Sequence, residues 1–226
     1  MFSDLFIQLW EQGKFALGVW ETVYMTLLST AIAYVIGLPI GVLLNVTAPG
    51  GIRPVSWFHK ILGFLVNVFR SIPFIILMVA MLPVAKAIVG TSLGNKAMIV
   101  MLVLAAAPYV GRMVESSLQE VDAGIIEAAQ AMGTPNFQIV TKVLLPEAKP
   151  ALITGAVIST VTILGYSAMA GTIAGGGLGQ IAISYGYQRF QDDITWVCMV
   201  LVVLIVQIIQ ELGMLAVRKT DKRIRK

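Results

Sequence analysis

One cysteine, Cys198, and one histidine, His59, occur in 226 residues. Neither a disulfide nor a Cys/His zinc cluster can be assembled within one such chain. Charge is scarce as well, at 12% of residues, where a soluble domain carries about 25%. The 58% of hydrophobic residues and mean hydropathy of +0.86 exceed what a soluble core of this length can hide. A soluble enzyme, a disordered regulator and a disulfide scaffold are thereby excluded, and an integral membrane protein is the reading that remains. No phosphate loop of the form G-xxxx-GK[ST] and no HExxH occurs. The run Gly175-Gly176-Gly177-Leu178-Gly179 fails the dinucleotide pattern because Gln180 holds its last position, and it reads as a flexible outer turn beside a span. A serine nucleophile needs a general base within reach. His59 falls on the expected cytoplasmic side, so an intramembrane enzyme is disfavoured and no catalytic or metal site is expected.

What is present is apolar sequence in blocks of spanning length. A membrane helix needs about 20 such residues, and five blocks qualify, at about 22–46, 61–84, 96–115, 150–172 and 194–216. The fold class expected is all-α and polytopic. An odd number of spans puts the termini on opposite sides. With the C-terminus inside, eleven basic residues lie inside (Arg53, Lys60, Arg112, Lys142, Lys149 and the tail Arg218, Lys219, Lys222, Arg223, Arg225, Lys226) and four outside (Lys14, Lys86, Lys96, Arg189). The positive-inside rule then sets the N-terminus out and the C-terminus in. The basic tail, residues 214–226, is an anchor on an anionic membrane face rather than a nucleic-acid contact. Residues 1–18 lack the basic start of a signal peptide. They suit a short interfacial helix with Phe2, Leu5, Phe6, Leu9 and Trp10 on one side.

Pro39, Pro73 and Pro108 fall within spans, Gly37 and Gly41 form a G-xxx-G spacing, and Ala151, Gly155 and Ser159 repeat small residues every fourth position. Such spacing lets helix backbones approach closely in lipid. Arg70 is the costliest residue in the spans, since an arginine at mid-membrane costs at least about 3 kcal/mol. It either snorkels or pairs with carbonyls near Pro73, or it lies by a substrate path. Thr160, Tyr166, Ser167 and Met169 surround Gly165 and Gly171 in the fourth span and are the other path candidates. Met169, as a flexible apolar plug beside glycines, is a candidate gate.

The longest inner loop, 116–147, is organised. Val121 to Ala131 reads as a short helix stopped by Gly133. Thr134 is placed to cap the next helix, with Pro135 in its first turn. Phe137, Val140 and Leu144 share a face at helical spacing. The pair of short helices superficially resembles a helix-turn-helix, but too few basic residues are available for nucleic acid. An Ala-rich face carrying one carboxylate, Glu127, suits docking into a groove on a partner.

Glu127-Ala128-Ala129, three residues, Gly133, nine residues, Val143, one residue, and Leu145-Pro146 resemble the EAA loop of permease subunits of binding-protein-dependent ABC importers. Val143 stands where isoleucine is usual. Further runs, Phe69 to Leu77, Ala107 to Glu115, Gly165 to Met169, Gly175 to Ile181, Val19 to Thr22 and Tyr185 to Tyr187, are similar to the methionine importer permeases. The resemblance covers about residues 19–213.

It implies a type I ABC importer permease fold and import of methionine, D- and L-, by alternating access. Another amino acid or small solute within the same family is the alternative, and an ATPase-independent channel or secondary transporter is the alternative of a different class. It further implies a homodimer, a cytoplasmic ATP-binding subunit dimer holding ATP and Mg, an outer substrate-binding lipoprotein and residence in a bacterial cytoplasmic membrane. The chain itself would hold no cofactor. Glu127, Ala128, Ala129, Gly133, Leu145 and Pro146 would couple it to the ATPase.

Overall fold

A computed structural model of the chain describes residues 3–173 and 175–220. Of the residues singled out above, Phe2 and the tail residues Lys222, Arg223, Arg225 and Lys226 lie outside the described range. The chain folds as α1 (Asp4–Glu11), α2 (Lys14–Thr47), α3 (Ser56–Ser71), α4 (Phe74–Val89), α5 (Asn95–Gln119), α6 (Ala123–Ala131), α7 (Asn136–Gln138), a π-helical segment (Ile139–Leu144), α8 (Leu145–Glu147), α9 (Lys149–Ala170), α10 (Leu178–Gln180), a second π-helical segment (Ile181–Tyr187) and α11 (Asp192–Thr220). Among the described residues α2, α5, α9 and α11 are each long and apolar enough to cross a membrane, and α3 with α4 makes a fifth span if the bent pair counts as one.

The expected second span, 61–84, is not one straight helix. Ser56–Ser71 and Phe74–Val89 meet at 106°. Ile72 adopts an extended conformation and Pro73 is the N-cap of α4. The cause is local: proline clashes with an α-conformation in the residue before it. Pro39 and Pro108 act otherwise, since α2 and α5 run through both of them.

Two structural units are distinguished. The first comprises Met1–Ile32, Pro73–Ala105 and Thr160–Gln210. Its core joins Phe6, Leu9 and Phe15 to Leu164, Leu178, Ile181, Ile194, Cys198 and Ile205. The N-terminal helix is therefore packed into protein through Phe6 and Leu9, while Trp10 is exposed and Leu5 half-buried. The apolar side that the sequence groups together is thus divided between the protein core and the surface. The Ser3 hydroxyl caps it by accepting from the Phe6 amide, and the Ser3 amide donates to the Asp193 carboxylate at 2.7 Å.

The second unit comprises Ala33–Ile72, Ala106–Ser159 and Glu211–Lys226. Here the G-xxx-G spacing acts as expected. A Cβ on Gly37 would stand 2.6 Å from Val110 Cγ1, and one on Gly41 the same 2.6 Å from Val114 Cβ. No side chain fits there, so α2 and α5 touch backbone to side chain and gain dispersion contacts that a lipid tail cannot match. The His59 ring donates from Nδ1 to the Leu44 carbonyl at 3.0 Å, which accounts for that histidine structurally.

Candidate coupling loop and translocation path

The loop of the second unit is built as a rigid bracket. Asp122 opens α6, its carboxylate accepting from the Gly124 amide at 2.7 Å. The expected start at Val121 thus moves two residues, because the aspartate outranks valine as a cap. At the far end Gly133 has φ +74°. Its amide reaches the Gln130 carbonyl and the Thr134 amide reaches the Ala129 carbonyl, at 2.9 and 3.2 Å. That is the Schellman arrangement, which a glycine adopts without the Cβ penalty. Thr134 serves this stop and not the next helix, whose N-cap is Pro135 with no side-chain hydrogen bond.

Ala129 is buried, whereas Glu127, Ala128 and Gly133 face outward. Glu127 borders a hollow of about 320 Å³ together with Asn45, Gly50, Leu118, Gln130 and Leu144. The face expected from Phe137, Val140 and Leu144 is corrected. Phe137 is 78% exposed, and the buried pair is Ile139 with Leu144. The reason is the π-helical winding of Ile139–Leu144, whose hydrogen bonds span five residues, as in the Leu145 amide to the Val140 carbonyl. Residues five apart then share a face. Leu145 is half-buried and Pro146 exposed in the short helix that follows. Met132, also 78% exposed, and Ile125 join Phe137 as apolar side chains left uncovered around Glu127.

The path candidates on α9 do not converge. Thr160 and Ser167, seven residues apart, are buried, and the Ser167 hydroxyl donates to the Leu164 carbonyl at 2.7 Å. Met169 is 48% exposed, and a Cβ at Gly165 would meet nothing within 4 Å. Tyr166 is half-buried and stacks on Phe74 with ring centroids 4.5 Å apart and planes 6° apart. Met169 and Gly165 therefore share an open face from which Ser167 and Thr160 are turned away.

Arg70 ends α3, exposed, one residue before the helix stops. The organised arginine is Arg112, treated in the sequence only as a topology marker. It donates to Glu115 at 2.6 Å, to the Gly63 carbonyl at 3.1 Å and to the Asn67 side-chain carbonyl at 3.0 Å. Glu115 is 5% exposed, so the pair answers a buried carboxylate with a cation. The signal was visible as Arg and Glu three apart at the end of a span, the spacing that puts two side chains on one helix face.

A second constellation escaped the sequence reading altogether. The Gly175–Gly179 turn is tied, not loose. The Gly176 amide donates to the Asn95 side-chain oxygen at 3.0 Å, the Gly177 amide to Glu21 at 2.7 Å, and the Leu178 amide to the Thr22 hydroxyl at 2.9 Å. Asn95 in turn donates to the other Glu21 oxygen at 2.9 Å. Gly177 has φ +87°, and a Cβ there would stand 2.7 Å from the Thr22 hydroxyl. The glycines are needed for close approach, and Glu21, the last charge before a long charge-free span, is the residue that could have flagged it.

Four long apolar helices, a fifth span broken at Ile72–Pro73 and a capped, outward-facing loop define a polytopic helical membrane protein whose sequence carries no phosphate loop. The binding-protein-dependent transport system inner membrane component family matches residues 37–226, and the chain belongs to that family. It is similar to the probable D-methionine transport system permease protein MetI of Vibrio cholerae, 47% identical over 204 residues, 90% of this chain and 91% of that protein. It is also similar to the D-methionine transport system permease protein MetI of Escherichia coli, 54% identical over 154 residues, 68% and 71% of the two chains. The solved inward-facing MetNI methionine ABC transporter, in its native crystal form, matches with TM-score 0.92 and 46% identity over 97% of this chain and 100% of that one. The all-α, type I importer permease fold expected from the sequence is the fold found.

Proposed function

We propose that this chain is the permease subunit of an ATP-driven methionine importer in a bacterial cytoplasmic membrane, with its N-terminus out and its C-terminus in. Two copies form the path, a dimer of ATP-binding subunits holds ATP and Mg on the inner side, and an outer binding protein delivers D- or L-methionine. The names of the relatives support the substrate. The observation that carries the mechanism is the bracketed loop, in which Asp122 and the Gly133 stop fix a short helix at both ends. A helix held this way transmits a push instead of unwinding.

Glu127 and Ala128 face the ATP-binding subunit, with Ile125, Met132 and Phe137 as the apolar surface that the contact covers. Ala129 lets the helix lie close to its own support, and Leu145 and Pro146 carry the motion into α9. Closure of the ATP-binding dimer then switches the path between outward and inward access, each state favoured by its own contacts. Met169 on the open face of α9 is the gate. Arg70, Thr160, Tyr166 and Ser167 act near the path, the last two by fixing the rotation of α9.

The test is uptake of labelled methionine by vesicles containing this chain with its ATP-binding subunit and binding protein. ATP-dependent accumulation is expected, and accumulation of another amino acid in its place would move the substrate assignment. Glu127→Lys is expected to weaken recovery of the ATP-binding subunit with the permease while the bundle still folds. Normal assembly and transport in that variant would remove the coupling role.

A further inference from the structure

Arg70, Tyr109, Arg112, Met113, Glu115, Ser116 and Gln119 line a hollow of about 350 Å³ in the second unit, within the usual size of a small-molecule site. Its charges are unequal in their freedom. Arg112 and Glu115 neutralise one another at 2.6 Å. The Arg70 guanidinium has no hydrogen bond or ion pair among the described residues. Glu115 meets Arg112 through Oε2, which leaves Oε1 without a hydrogen bond among the described residues. The lining thus offers one surplus cation, one free carboxylate oxygen, the hydroxyls of Tyr109 and Ser116, and the thioether of Met113.

We infer that this hollow is a binding site for the zwitterionic backbone of an α-amino acid on its way through the permease. Arg70 takes the carboxylate, for which a planar guanidinium offers two parallel donors. Glu115 Oε1 takes the ammonium, and Arg112 holds Glu115 in place as a positioning residue. The ring of Tyr109 and the chain of Met113 lie alongside the amino acid's side chain. Glu115 is 5% exposed, so its hold on the ammonium is little screened by water, while the exposed Arg70 stands open to the incoming carboxylate. A lone cation meets the uncompensated Arg70, and a lone anion leaves Glu115 Oε1 unused, so a group bearing both charges engages the whole set.

The inference rests on the import reading above, and the experiment separates the two. In the purified transporter with Cys198→Ala, Ser116→Cys places an exposed thiol on the rim of the hollow. Its rate of alkylation by a maleimide is measured with and without saturating methionine. Methionine is expected to slow it several-fold and methioninamide, which lacks the carboxylate, to leave it unchanged. Arg70→Met is expected to abolish protection and Arg70→Lys to keep part of it. Equal protection by methioninamide overturns the inference, as does protection that follows anionic lipid in the surrounding bilayer instead of the amino acid. If other α-amino acids protect and methionine does not, the hollow stands and the methionine assignment falls. If no amino acid protects while methionine is imported, the import reading stands and the hollow is not its site.

Discussion

At the residue scale the informative positions are those where one polar group answers several others. Glu21 accepts from both Asn95 and Gly177, so Glu21→Ala leaves two donors short in a partly buried site. A loss of about 1–3 kcal/mol per unpaired buried group predicts a clearly lower unfolding temperature of the detergent-purified chain. Glu21→Gln should fall between, because its oxygen still accepts from one donor while its amide opposes the other. Gly177→Ala should cost at least as much as Glu21→Ala, since it adds a side chain at φ +87° and 2.7 Å from Thr22. Unchanged melting in all three would mean the turn is held elsewhere. None of this was legible from composition. Glu21 and Asn95 are 74 positions apart, and hydrogen bonding between distant polar residues leaves no periodic trace. Arg70 was legible as unusual and Arg112 was not. A charge inside an apolar run stands out, whereas one at its border is lost among the topology markers.

At the element scale the α6 bracket was readable because caps are local chemistry. Gly133 and Pro135 declare the stop within two residues of each other, whereas the start falls to the Asp122 cap instead of the expected Val121. The helix after it misled, because the periodicity assumed 3.6 residues per turn and the chain winds more widely over Ile139–Leu144. The nine-residue interval between Gly133 and Val143 includes most of that wide turn, so the motif's fixed spacing records winding as well as sequence. Deleting Thr141 is predicted to restore an α-helical register while turning Glu127 by about 100° relative to α9. Transport should be lost with near-normal expression, read by uptake against membrane-fraction yield. Gly133→Val forces a β-branched residue into φ +74°, at about 1–3 kcal/mol. It is expected to reduce ATPase coupling more than bundle stability, measured as basal against binding-protein-stimulated hydrolysis. The broken span at Ile72–Pro73 was foreshadowed by its proline but not its angle, since Pro39 and Pro108 sit in unbroken helices.

At the scale of the whole molecule, the spans and their polarity come from charge distribution. A reporter fused after Lys226 is predicted to be active only if it is a type that works in the cytoplasm. A periplasm-only enzyme fused there should stay silent, and the reverse result would invert the topology. The long apolar faces of α11, including Trp196, Val203, Leu204, Ile208 and Leu212, are exposed. Such faces were legible as apolar from the charge-free run that precedes Glu211. Helix length adds a different constraint. At 1.5 Å per residue, α2, α5 and α11 are about 51, 38 and 44 Å long, well beyond a hydrocarbon thickness of about 30 Å. They can absorb a thicker bilayer by changing tilt. The helix that carries Met169 cannot: Lys149–Ala170 is about 33 Å long, close to the bilayer itself. Among the four unbroken spans, membrane thickness therefore bears first on α9, and reconstitution in lipids of increasing acyl length should depress transport at the point where α9 is outgrown, while the three longer helices still span.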